Sequence, residues 1–120
     1  MTNKIMITVG DRELSVVLAE NSSAEALVEL LQKAPITVAM KDYGNMEKVG
    51  IMEQSLPSNN QQITTEAGDV ILYQGNALVI YYDTNHWSLT RLGKIQNTSA
   101  QELKTILGKR NVTVQLSLEG

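Results

Sequence analysis

The sequence predicts a small, mainly β fold, built as a barrel with two short covering helices, and three observations carry that reading. Alternating apolar and polar residues, the mark of strands, dominate the chain and return at its end, where Val112, Val114, Leu116 and Leu118 face one way. Only two segments show helical spacing, and each opens on capping residues. Terminal strands that pair around a closed sheet hide edges that would otherwise stay exposed. An open two-layer α+β sheet is the alternative that satisfies the same element order. At 120 residues, the chain 1–120 reads as one domain with one core.

Residues 4–9 and 12–18 read as a first hairpin. Ile5, Ile7 and Val9 form one alternating set and Leu14, Val16 and Leu18 the other, with Gly10-Asp11 as the turn. Ser22 and Glu25 have capping-box spacing ahead of Leu27, Leu30 and Leu31, so a helix is expected until Pro35 stops it. Ile36 to Met40 resumes extended periodicity. From Lys41 to about Gln62 the pattern weakens into a long polar connection with room for one short strand near Val49. Connections of that length in a small domain generally bind something or move. After a polar hinge at Thr64–Asp69, Val70–Tyr73 and Ala77–Tyr82 form two strands around Gln74-Gly75-Asn76. Their near-continuous apolar content predicts burial on both faces. Trp87 to Gly93 is the next strand, a short helix capped by Ser99 and Glu102 runs to Leu107, and Gly108 ends it.

Composition removes several classes of function. The chain has no Cys, which excludes disulfides, thiol nucleophiles and thiolate metal sites. A net charge of -3, from 10 basic and 13 acidic residues, gives no positive field for nucleic acid or anionic lipid. The opening segment turns polar at Gly10, too soon for a signal peptide, and the longest apolar stretch, Ala77–Tyr82, is far short of a membrane span. A cytoplasmic protein without a nucleic-acid or membrane partner is expected. The single His86 has no repeated ligand spacing around it, so no metal is expected. No Gly-x-Ser-x-Gly elbow, phosphate loop or dinucleotide fingerprint is present, and no cofactor is expected.

Three phrases carry a family likeness: MKDYGNMEKVG at 40–50, AGDVILYQGNALVIYY at 67–82 and WSLTRLGKI at 87–95. Together they resemble the small bacterial cyclophilin-like domains of uncharacterised function, over almost the whole chain. The resemblance implies a closed cyclophilin-type β-barrel of about eight strands with helices over its ends. True cyclophilins are peptidyl-prolyl isomerases that use an Arg in an apolar groove lined by aromatics and amides. This chain has no Phe and lacks the cyclophilin Phe-Arg and Phe-x-x-Gln signatures; Leu72-Tyr73-Gln74-Gly75 echoes the latter only briefly. A shared barrel does not by itself transfer an activity.

Candidate ligand-binding residues follow from chemistry and position. Arg91 shares a strand face with Trp87 and Leu89, and a guanidinium beside an aromatic wall suits a carbonyl or carboxylate. Tyr43 and Asn45 sit in a flexible polar stretch with a ring, a hydroxyl and an amide to offer. Gln74 and Asn76 place amides at the break between two apolar strands. Tyr73, Tyr81 and Tyr82 read as core or rim residues, and Glu25, Glu29, Glu47 and Glu53 as solvated carboxylates.

The leading expectation is a non-isomerase domain that binds a small molecule or an extended peptide at a depression containing Arg91. Two alternatives stand beside it. One is a peptidyl-prolyl isomerase with a rearranged groove around Arg91. The other is a protein-interaction module using a flat apolar patch of Met46, Ile51, Met52 or Leu56.

Overall fold

The computed structural model describes residues 3–43, 47–108 and 110–118. Its elements are β1 (Lys4–Val9), β2 (Arg12–Leu18), α1 (Ser22–Lys33), β3 (Ile36–Tyr43), β4 (Glu47–Ile51) and β5 (Gln61–Thr64). They continue with β6 (Asp69–Tyr73), β7 (Ala77–Tyr81), β8 (His86–Ile95), α2 (Ala100–Leu107) and β9 (Val112–Leu118). Eight strands run in the order β2-β1-β9-β3-β4-β7-β6-β8, and β8 pairs back with β2 to close the ring, every pair antiparallel. The fold is therefore a closed eight-stranded barrel with two short helices, as the family resemblance implies, not an open sheet. The remaining strand, β5, lies outside the ring and pairs with the first half of β8.

Alternation decides what fills the barrel. Ile5, Ile7, Leu14, Val16, Val38, Met40, Leu72, Leu78, Ile80, Val114 and Leu116 all belong to one buried cluster. Around β8 the phase shifts: its pairing with β6 slips between Val70 and Ile71, so that Leu92 and Ile95, three residues apart, both join the core. A bulge of this kind sharpens the local twist and helps the sheet close. Closure also needs Gly93, where a Cβ would stand 2.6 Å from the Val17 carbonyl oxygen and 2.7 Å from Val16 Cγ1. No side chain fits between β8 and β2 there.

The central connection contains the short strand expected near Val49, as β4, and otherwise differs from its sequence reading. Part of it is regular: β3 continues to Tyr43, β4 occupies 47–51 and β5 occupies 61–64. Residues 52–60 form a plug rather than an open loop. Met52 and Leu56 are in the core, and their amides donate to the Asn76 and Gly75 carbonyls at 2.8 and 2.7 Å. The Asn59 amide donates to Thr90 Oγ1, and Asn59 Nδ2 donates to the Ser22 and Ser23 hydroxyls, each at 2.8 Å. Ser23 Oγ in turn donates to the Pro57 carbonyl. Of the residues offered for a flat apolar patch, Met52 and Leu56 are buried and Ile51 is exposed, while Met46 lies outside the described residues.

α1 is capped one residue earlier than the spacing suggests. Asn21, not Ser22, is the N-cap: its Oδ1 accepts from the Ala24 amide at 2.9 Å, and its Nδ2 donates to the Arg91 carbonyl at 2.8 Å. An Asn serves here because one side chain both caps the helix and ties it to β8. At α2 the expected capping box is present, with Ser99 and Glu102 bonded reciprocally at 3.1 Å, and Gly108 is the C-cap at φ 78°.

At the Lys48 end of β4 the barrel holds a charged group. Lys48 is fully buried, 3.1 Å from Asp42 Oδ1, and donates to the Arg110 carbonyl at 2.7 Å. Tyr82 donates its hydroxyl to the same carboxylate, and Lys104 of α2 lies 5.8 Å from the centre of the Tyr82 ring. Paired and hydrogen-bonded in this way, an interior Lys is tolerable.

Gly93→Ala is expected to cost about 3 kcal/mol in urea unfolding, as overpacking against backbone at the seam. A loss below about 1 kcal/mol would show that the β2–β8 contact yields easily.

Candidate functional site

β6 and β7 are apolar on both faces, and the structure uses both. Residues pointing inward fill the barrel. Those pointing outward, Ile71, Val79 and Tyr81, pack with Leu89 of β8 and, partly buried, Val49 of β4 and Ile63 of β5 in a second cluster. The first half of β8, held to β5 through Ile63↔Trp87 and Gln61↔Leu89, thus lies over the outer face of the barrel. Beside this cover the sheet is left open as a cleft of about 570 Å³. That volume falls within the range of small-molecule sites.

Strand register arranges the cleft in rows. Tyr43, Glu47 and Tyr81 are cross-strand partners on β3, β4 and β7 and form one end. Val49 and Val79 are paired in the floor. Ile51, Ala77 and Tyr73 form the row at the other end, next to Gln74 and Asn76 of the hairpin. Trp87 and Leu89 supply the wall. Four of the five aromatic residues in the chain line this cleft. The large hydrophobic side chains exposed among the described residues are Tyr43, Ile51, Tyr73 and Trp87, at 39 to 64%, and all four are in it. Exposed apolar surface that is scattered means little; gathered into one concavity it marks a binding surface.

Four of the residues singled out from sequence, Trp87, Tyr43, Gln74 and Asn76, come together in the cleft lining. In the hairpin that carries them, Gln74 and Gly75 take positive φ at 53° and 83°. Asn45 lies outside the described residues. Arg91 is on the same strand face as Trp87 and Leu89 but is not part of the lining. It is opposite Ile71, and its guanidinium lies 3.3 Å from Asp69 Oδ2. Asp69 is buried and needs that partner; its Oδ2 also accepts from the Glu66 amide at 2.8 Å. His86 is exposed, with Nδ1 2.9 Å from the Thr64 hydroxyl. Among the described residues no cluster of three or more His, Cys, Asp or Glu is placed to hold a metal.

Glu47 is the cleft residue that sequence reading missed. It is the one charged side chain in the lining among the described residues. Burial raises its carboxyl above the ordinary carboxylate range, and a hydrogen bond from Tyr81 opposes that only in part. Tyr81 is itself raised, first by burial, while Asn85 Nδ2 donates to its hydroxyl at 3.3 Å. No ion pair with Glu47 forms among the described residues. The alternation of Glu47, Val49 and Ile51 on β4 was the available signal, obscured because the strand is only five residues long.

The raised carboxyl has a defined effect on stability. A group whose pKa is higher folded than unfolded favours folding below its unfolded value and loses that contribution as pH rises through the folded value. Glu47→Gln is therefore expected to raise the melting temperature at neutral pH, with the difference shrinking to nothing in acid. A variant that is less stable at neutral pH would mean that the carboxylate is well solvated or paired.

Two solved structures share the fold. The hypothetical protein AF2241 from Archaeoglobus fulgidus matches with a TM-score of 0.66 at 17% identity, covering 98% of this chain and 95% of that one. McbB, solved in complex with tryptophan, matches with a TM-score of 0.65 at 17% identity, covering 97% of this chain and 45% of McbB. The chain thus spans under half of McbB, and the archaeal example takes the fold beyond bacteria. No curated protein matches the sequence. No described helix is long and apolar enough to cross a membrane. The model of the Cyclophilin-like family matches residues 7–119, nearly the full length, and the chain belongs to that family.

Proposed function

We propose that this protein is a ligand-binding domain and that its ligand, a small molecule, occupies the outer-face cleft between β4, β7 and the Trp87 wall. The observation that carries this reading is the gathering of Tyr43, Ile51, Tyr73 and Trp87, all solvent-exposed, around one concavity. Full burial of a large apolar side chain is worth about 1.5–3 kcal/mol, and these four forfeit the share that corresponds to their exposed surface. A ligand with an apolar body recovers part of that. Gln74, Asn76, Asn85 and Glu47 supply a few polar groups at the rim to orient it, the usual composition of a small-molecule site.

In this proposal the cleft, rather than the expected depression containing Arg91, is the ligand's place. With its guanidinium committed to buried Asp69, Arg91 acts better as the counter-charge of a core carboxylate than as a ligand hook. The same commitment weakens the isomerase reading, which relied on Arg91 reaching a proline amide inside an apolar groove.

A metabolite and peptide screen by calorimetry tests the proposal. A ligand found in it is expected to lose about tenfold in affinity with Tyr73→Ala and with Trp87→Ala, the scale of one aromatic contact. Both side chains are exposed, so the variants fold. Affinity unchanged in both variants would remove the cleft from consideration.

A further inference from the structure

Among the described residues the cleft carries one charge, and that charge has no counter-ion. The described lining includes Glu47 and no Lys, Arg or His. The cations nearest by register do not pair with it. Arg91 is paired with Asp69, Lys48 points into the barrel toward Asp42, and exposed Lys41, opposite Val49 on β3, neither lines the cleft nor pairs with Glu47. Glu47 stands between two tyrosines, with Tyr43 and Tyr81 as its cross-strand partners, and Trp87 is in the same lining. A carboxylate flanked by aromatic rings is the arrangement that stabilises an ammonium group: the carboxylate supplies a full counter-charge, and the negative ring faces supply cation–π attraction. Anions meet the opposite conditions, since Glu47 repels them and no lining cation offsets it.

Resting on the cleft as the binding site, we infer that its ligand is a small organic amine with an aromatic or apolar body. The ammonium pairs with Glu47, and the body lies over Val49, Val79 and Ala77 toward Tyr73. Half-buried Glu47, held above the usual carboxylate range by desolvation, gains a counter-ion beside its Tyr81 hydrogen bond when the amine enters.

The chain's single Trp87 lies in the wall, so its indole N–H resonance reports occupancy directly. Phenethylamine, phenethyl alcohol and phenylacetate share a body and differ in charge. Titrated at neutral pH, the amine is expected to bind about tenfold more tightly than phenylacetate and more tightly than the alcohol, from one ion pair with cation–π support. In Glu47→Gln the amine is expected to lose most of its advantage over the alcohol, keeping only the part that the aromatic rings supply. If they are already equal in the native protein, the charge assignment is overturned while the cleft stands. If none of the three moves the Trp87 signal at millimolar concentration, the cleft itself is not the site and the inference falls with it. If a blocked Ala-Ala-Lys-Ala-Ala peptide binds more tightly than the amine, the ligand is a peptide and the small-molecule assignment is overturned.

Discussion

The outer face of the β6–β7 hairpin must be covered, and the way it is covered shapes the rest of the molecule's surface. Ile71, Val79 and Tyr81 point away from a barrel already filled by Val70, Leu72, Leu78 and Ile80. Left in water, each would forfeit on the order of 2 kcal/mol of burial. The cover comes from Leu89 and Ile63, brought across by pairing the first half of β8 with β5. One strand thus has two tasks. Its second half seals the ring at Gly93, and its first half leaves the ring to lie on the outside. The cover is partial, and what it leaves open beside Val49, Ala77 and Ile51 is the cleft.

This arrangement separates the two arginine-linked ideas that strand periodicity joins. Trp87, Leu89 and Arg91 do share a face, as alternation requires. The strand passes from the outer cover into the barrel wall between them, however. Trp87 therefore stands over the cleft, while Arg91 reaches the Asp69 turn. The family's barrel is present, and the aromatic concavity on it is assembled from this chain's own tyrosines and tryptophan. With Glu47 as its charged lining residue, the concavity has a sign as well as a shape.

Most of the barrel was legible because its strands obey strict alternation. β1, β2 and β9 have one buried set each, and the unbroken apolar content of β6 and β7 announced two-sided burial. β5 was not legible. Its Gln61-Gln62-Ile63-Thr64 has a single apolar residue, and its existence depends on pairing with β8, a tertiary contact that local sequence does not encode. The plug at 52–60 read as a polar loop because Met52 and Leu56 are isolated anchors without period. Within the site, exposed aromatics could be named individually, but their convergence could not, since Tyr43, Tyr73 and Trp87 belong to strands whose neighbours are fixed only by the ring order. Glu47 looked like any surface carboxylate until the register set it between Tyr43 and Tyr81.

The outer cluster itself is the most direct point of test. In a methyl-labelled sample, nuclear Overhauser contacts from the Leu89 methyls to the Val79 methyls and the Tyr81 ring are the predicted result. Leu89 methyls with random-coil shifts and no such contacts would contradict the account, because the cover, and with it the cleft wall, would then be missing.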